Sequence, residues 1–341
     1  MKVPYDIPFE QLVDVINSHY PINARALTFI PVGDKSYSYQ IDCVNGEKYY
    51  LKLLDRRHQQ VEIKQTDYYL PLLLELHHKN LFPHAIYPLL NNRNEWKAEL
   101  ENILLILFPW IEGDTLANAY PLSKNQVRTI AKLAAKLHQT TPAIAGEVQL
   151  PFEKFDVSFL DELLVNIEKL VNQSLDLADY KLALSKLLIP KKDDIHSFTF
   201  LVKELNAIFI KKEMDLVLCH GDLWGGNLIQ AKGGITIIDW ESVILAPFER
   251  EMAGYVTQSP LDFIDAYSKQ MGRKIKPNTD LLRYYCFSAH LRNLHYWMNN
   301  ILHHNINDDQ QANDLDMIEN HCLNRWEEID VSLQRLASSV S

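Results

Sequence analysis

The sequence predicts an α+β protein, with an antiparallel sheet near the N-terminus and a mainly helical remainder. Three observations carry that expectation. Residues 27–54 hold three strand-like runs punctuated by Gly33-Asp34 and Asn45-Gly46, and Asn-Gly between such runs signals a tight hairpin. From Ser123 onward, apolar residues recur at helical spacing through several long stretches. One compact β-hairpin, 228–238, interrupts the helices.

The three early runs are Leu27-Thr28-Phe29-Ile30, Tyr37-Ser38-Tyr39-Gln40-Ile41 and Lys48-Tyr49-Tyr50-Leu51-Lys52-Leu53. In the third, alternation turns Lys52 to the face opposite Leu51 and Leu53. Residues 58–79 read as a helix, with Pro71 expected to kink it or to begin a second one. Asn102-Ile103-Leu104-Leu105-Ile106-Leu107-Phe108 is continuously apolar, as a strand buried on both faces would be. Pro109-Trp110-Ile111-Glu112-Gly113 ends it.

Ser123 and Gln126 form a capping box that opens the next helix, followed by Val127, Ile130, Ala131, Ala134 and Leu137 at helical spacing. Between about 156 and 212 lie two or three further amphipathic helices, including 159–171 and 198–211. Asp262, Asp265 and Tyr267 fall on another helical stretch, and 284–297 is an aromatic-rich helix. Aromatics at that spacing usually build core, but His295, Tyr296 and Trp297 include a candidate acceptor contact, Tyr296.

The chain has 341 residues and a formal net charge of −10. That charge argues against a nucleic-acid partner, whose footprint is basic, and suits a cationic one. No apolar run reaches membrane-span length, and the first residues lack a signal peptide's apolar core. Cys43, Cys219, Cys286 and Cys322 are scattered without a Cys-x-x-Cys pair, which suits free thiols in a reducing compartment. A cytoplasmic protein without a membrane partner is expected, as a monomer or weak dimer.

The most informative segment is His220-Gly221-Asp222-Leu223-Trp224-Gly225-Gly226-Asn227, followed by Ile237-Ile238-Asp239-Trp240. If the intervening hairpin folds about Gly233-Gly234, Asn227 and Asp239 meet at its open end, with Asp222 a short loop away. Two converging oxygen ligands without a full cage suit Mg²⁺, which shares its coordination with waters and phosphates. Asp222 stays free to orient a nucleophile and take its proton. Taken singly, Asp222 reads as a helix cap and Asn227 as a turn residue; at this spacing, together with Asp239, they read as phosphoryl-transfer equipment.

These residues resemble the catalytic loop and metal-binding Asp of the protein-kinase-like superfamily, with Asp239-Trp240-Glu241 where protein kinases have Asp-Phe-Gly. With Leu245-Ala246-Pro247-Phe248-Glu249-Arg250-Glu251-Met252, the segment is most similar to the aminoglycoside phosphotransferase family, and within it to the spectinomycin phosphotransferases. The resemblance implies a bilobal protein-kinase-like fold: an N-lobe over 1–108, a hinge at 109–113, and a helical C-lobe over 114–341 with an insertion at about 156–212. It implies that Lys52 contacts ATP phosphates with Glu62 as its ion-pair partner, Asp67 and Glu75 being the alternatives. It implies that Ser36, in the loop Pro31-Val32-Gly33-Asp34-Lys35-Ser36-Tyr37, touches phosphate, and that adenine bonds to backbone near Phe108 to Trp110. Asp222 would be catalytic, and Asn227 and Asp239 would hold Mg²⁺. Glu241 and Trp224 join Tyr296 as candidate acceptor contacts, Glu241 facing a cationic acceptor.

The expected activity is ATP- and Mg²⁺-dependent phosphorylation of a hydroxyl on an aminoglycoside- or spectinomycin-like antibiotic, with GTP an alternative donor. Rival expectations are a metabolic kinase of the same fold, acting on choline, homoserine or a fructosyl-amine, and a pseudokinase scaffold. The ketosamine kinases tend to have Asp-Pro after the hairpin where this chain has Asp239-Trp240. A protein kinase is disfavoured because Ala246-Pro247-Phe248-Glu249 follows Asp239 too soon.

Overall fold

A computed structural model of the chain describes residues 3–33, 35–172, 179–304 and 307–340. Asp34, within the loop expected to cover the phosphates, lies outside the described residues. Helix α1 (Phe9–His19) leads into strands β1 (Ala24–Ile30), β2 (Tyr37–Cys43) and β3 (Lys48–Asp55), then helix α2 (Gln60–His78). Strands β4 (Ala98–Leu100), β5 (Ile103–Pro109) and β6 (Asp114–Thr115) come next, then helices α3 (Lys124–Gln139), α4 (Thr141–Ile144), α5 (Phe159–Asn172), α6 (Asp179–Leu188) and α7 (Lys192–Phe209). Strand β7 (Val217–Cys219), the hairpin β8 (Leu228–Ala231) and β9 (Gly234–Ile237), and β10 (Ile244–Ala246) precede α8 (Glu249–Met252), α9 (Pro260–Met271), α10 (Thr279–His303), α11 (Asp308–His321) and α12 (Trp326–Val340). The fold class is the α+β expected.

Two compact units emerge. The first comprises Met1–Tyr120, Lys136–Pro151 and His220–Leu245, so the hairpin segment clusters with the N-terminal sheet. That sheet is antiparallel throughout, in the order β1-β2-β3-β5-β4. Its two faces differ because side chains alternate along each strand. One face buries Tyr39, Ile41, Leu51, Leu53, Leu105 and Leu107 against Leu12 and Ile16 of α1. The register sets Ser38 and Ile106 opposite Lys52 and Phe108 opposite Tyr50, so the other face carries the polar residues. Truncating one such buried leucine costs about 2–5 kcal/mol, which makes this packing the support of β3.

No second helix begins at Pro71; α2 runs through it. Proline removes one helical N–H, but Leu70, Leu72, Leu73, Leu74 and Leu76 around it are all buried, and that packing holds the helix.

The second unit comprises Pro121–Ala135, Phe152–Cys219 and Ala246–Ser341. Its axis is the 25-residue α10, which packs against α5, α7, α11 and α12. Phe198 of α7 stacks on Phe287 of α10 at 4.3 Å between centroids. The aromatics of α10 are therefore mostly core, as their spacing suggests. The expected capping box is present: the Ser123 N–H donates to Gln126 Oε1 at 2.9 Å, and the Gln126 N–H to Ser123 Oγ at 3.3 Å. Among the described residues no helix is long and apolar enough to cross a membrane.

Candidate active site

In the hairpin, Ala231 pairs with Gly234 and Leu228 with Ile237, so the loop is Lys232-Gly233, one residue earlier than the sequence suggested. A two-residue loop fixes register, and register decides which way every later side chain points. At the open end, the Ile238 N–H donates to the Asn227 carbonyl at 3.0 Å, so Asn227 and Asp239 flank one point. The outer edge of β9 is held by a short parallel bridge, with the Ile237 N–H donating to the His84 carbonyl at 2.7 Å.

The loop before β8 is tied to the same end. Buried His220 accepts the Asp222 N–H on Nδ1 at 3.3 Å, so Nε2 carries the proton and donates to the Ile238 carbonyl at 3.0 Å. Burial lowers the His220 pKa, against the opposing pull of the Asp222 charge, which keeps the ring neutral as this bonding needs. Its ring meets buried Trp240 edge-on at 4.8 Å. Gly221 has φ +84°, and a β-carbon there would collide with the Ser242 carbonyl, so only glycine fits. Asn227, buried, donates Nδ2 to the Asp222 carbonyl at 2.8 Å and to the Asp222 carboxylate at 3.0 Å. The exposed Asp222 carboxylate is thereby aimed by the residue that begins the hairpin.

Asp239 stands in left-handed backbone, φ +65°, and starts a tight 3₁₀ turn over Trp240–Ser242. Its side chain is 51% exposed, yet one oxygen accepts from Lys52 Nζ at 3.2 Å. Burial pushes the Asp239 carboxyl up, but the Lys52 ammonium, with help from His220 and Lys35, outweighs it and the net shift is down. Lys52 also forms a buried ion pair with Glu241, whose backbone carbonyl accepts the Tyr68 hydroxyl of α2 at 3.0 Å. On the same sheet face the Tyr50 hydroxyl bonds Ser38 Oγ at 2.6 Å, and burial raises the phenol to about 12.

A sequence model of the phosphotransferase enzyme family matches residues 27–285, which include all of these groups. The chain belongs to that family. It is 24% identical to Protein StrN of Streptomyces griseus over 282 residues, 80% of this chain and 79% of that protein. Among solved structures it is similar to spectinomycin phosphotransferase with ADP and spectinomycin, at 19% identity and TM-score 0.76, covering 96% of this chain and 98% of the other. It is also similar to amicoumacin kinase with AMP-PNP, Ca²⁺ and its antibiotic, at 14% identity and TM-score 0.61, covering 93% and 94%. These likenesses show the fold that the phosphotransferase family shares.

Other expected residues of the phosphotransferase site fall in varied places. The structure brings Glu241, and not Glu62, to Lys52; Glu62 is half-buried on α2 and belongs to none of the ion pairs among the described residues. Glu241 itself, expected to face an acceptor, is turned inward onto Lys52 by the 3₁₀ turn that follows Asp239. Ser36 is buried at the foot of its loop, and Gln59 reaches that loop through a bond to the Lys35 carbonyl. Phe108 is buried across from Tyr50. The Trp110 N–H donates to the Lys48 carbonyl at 3.3 Å, and Pro109 has no N–H to offer. Trp224 is 46% exposed beside Asp222, while Tyr296, 41% exposed, stands on α10 in the second unit. Sequence reasoning missed Tyr68, Gln59 and Tyr120, whose hydroxyl accepts the Gly225 N–H at 2.9 Å. No residue pattern marks them, because each works through hydrogen bonds to backbone groups outside its own element.

Proposed function

We propose that this phosphotransferase moves the γ-phosphoryl group of ATP to a hydroxyl of a small cationic acceptor of the aminoglycoside or spectinomycin kind. The observation that carries the proposal is the hydrogen-bonded set at the hairpin's open end: Asn227 on Asp222, and Lys52 on Asp239.

The donor chemistry there fits Mg²⁺. Both bonds from the Asn227 amide use Nδ2, and Lys52 engages only Oδ1 of Asp239, so Asn227 Oδ1 and Asp239 Oδ2 are the hard oxygens to hold the ion. Among the described residues no group of three or more His, Cys, Asp or Glu is gathered as a cage, in keeping with an ion that keeps waters and phosphate oxygens as ligands. Once bound, Mg²⁺ supplies charge neutralisation along the phosphates.

The chain's own groups do the rest. Lys52 presents a buried ammonium to phosphate oxygens. Asp222, aimed by Asn227, orients the acceptor hydroxyl and accepts its proton as the bond to phosphorus forms. His220 stays neutral and holds loop and hairpin in register, which matters because positioning carries most of the rate in this chemistry. The half-exposed Trp224 ring offers a wall for the acceptor. A net charge of −10 favours encounter with a cation. Spectinomycin in the solved spectinomycin phosphotransferase complex supports the acceptor class.

The test is incubation of the pure protein with Mg²⁺ and ATP or GTP, offering spectinomycin, aminoglycosides, choline, homoserine and fructosyl-lysine, with product masses read out. A phosphoryl mass added to an antibiotic is expected. Phosphorylation confined to choline, homoserine or fructosyl-lysine would replace the antibiotic with a metabolic acceptor.

A further inference from the structure

In the function proposed above Lys52 meets the nucleotide phosphates, and its surroundings differ from the arrangement expected. A buried ammonium must be paired to persist, and its side chain is only 9% exposed. The carboxylate that matches it in burial is Glu241, at 10%, whereas Asp239 is 51% exposed. Glu241 is itself fixed from two sides. Trp240 is fully buried, donates Nε1 to the Ile237 carbonyl at 3.0 Å, and accepts the Val243 N–H at 3.1 Å, which sets the turn. Tyr68 of α2 then donates its hydroxyl to the Glu241 carbonyl at 3.0 Å.

We propose that Glu241, in place of a carboxylate on α2, is the residue that positions Lys52 for the nucleotide phosphates, and that α2 contributes through the Tyr68 hydroxyl. The inference rests on the phosphoryl-transfer function proposed above. Asp239 would offer Oδ2 to a metal ion, while Glu241, the carboxylate buried with Lys52, anchors the ammonium. Anchor and metal-binding carboxylate then stand two residues apart, Asp239 leading into the turn that holds Glu241, so the lysine's place is set by local chain geometry and not by a carboxylate on α2.

The test measures ATP affinity by calorimetry, with Mg²⁺ and with EDTA, for wild type, Glu241→Gln, Tyr68→Phe and Glu62→Gln, alongside kcat and both KM values and a thermal melt. Glu241→Gln should weaken ATP binding about tenfold with or without Mg²⁺ and raise the nucleotide KM in step, as loss of a charge-assisted bond does, leaving the acceptor KM unchanged. Tyr68→Phe should weaken it about threefold, in line with one neutral hydrogen bond, and it carries the test if Glu241→Gln melts early. Glu62→Gln should bind as wild type does. Equal binding by wild type and Glu241→Gln would overturn the inference alone, as would a loss seen only with Mg²⁺, which would make Glu241 a metal ligand, or an equal loss in Glu62→Gln. Wild type that binds neither ATP nor GTP would overturn the proposed function and this inference with it.

Discussion

The Asn227 amide spans Asp222, bonding its backbone carbonyl at 2.8 Å and its carboxylate at 3.0 Å. One side chain thus fixes both where the Asp222 main chain runs and where its carboxylate points. A general base in that position is worth about 10²–10⁴-fold in rate. Asp222→Asn should therefore lose about that factor in kcat while ATP affinity, read by calorimetry, stays within about threefold of wild type. Near-normal turnover would remove Asp222 from the chemistry.

Asn227→Asp would set a second carboxylate against the first. It would also remove the amide donor that bonds the Asp222 carbonyl and carboxylate. kcat should fall at least about tenfold, as loss of charge-assisted bonds does, and an unchanged kcat would show that the Asn227 amide does not aim Asp222.

Gly221→Ala should strain the catalytic loop. The position has φ +84° and its β-carbon would strike the Ser242 carbonyl. Left-handed backbone alone costs about 1–2 kcal/mol, so the melting temperature should fall by several degrees, and kcat should fall more steeply than nucleotide affinity. A variant equal to wild type in both would mean the loop adapts.

Acid stability should depend on the corner where Asp55 meets Arg57 and Tyr5. Hydrogen bonds from the Arg57 side chain lower the Asp55 pKa to about 2, against the upward push of burial. Because the folded-state value lies below the unfolded one of 3.8, the contribution is complete above that pH and is lost as pH falls towards about 2. With Arg57 more than half exposed, solvent screening keeps that contribution small. Arg57→Ala should lower stability at pH 7 and show a shallower fall in stability below pH 4 in denaturant titrations. An unchanged pH dependence would dissociate the pair from acid unfolding.

His138 adds a second acid-sensitive element. Burial lowers its pKa from 6.5 to about 3, so the unfolded chain takes up this proton first and stability declines as pH falls below 6.5. In His138→Gln that part of the decline, between about pH 6 and 4, should disappear from thermal melts.

The convergence of Asp222, Asn227 and Asp239 was legible because they lie within eighteen positions, joined by a hairpin whose alternation and turn residues read locally. Lys52 was legible for a similar reason, since a lysine among strand leucines shows its face by parity. Capping at Ser123 followed from two side chains three positions apart. What failed were pairings over long separations. Nothing local distinguishes Glu241 from Glu62 as the partner of Lys52, since that choice depends on how β3 and the turn at 240–242 meet 189 positions apart. Helix α1 escaped notice because Leu12 and Ile16 are only two deeply buried positions, and their value appears when the sheet face covers them. Helix α2 continues past Pro71, where the sequence left a second helix open, because packing that no propensity records holds it.

The loop Lys232-Gly233 lies four residues of strand from the open end, roughly 13 Å at the usual rise, yet it is where the arrangement has least latitude. One inserted residue at that tip would slide β9 by a single position and send Asp239 to the far side of the ribbon, parting it from both Asn227 and Lys52. A surface bend remote from any bound molecule is thus as intolerant of length change as the centre it serves, and drift in this protein should be freest in the composition of that bend and most restricted in its count.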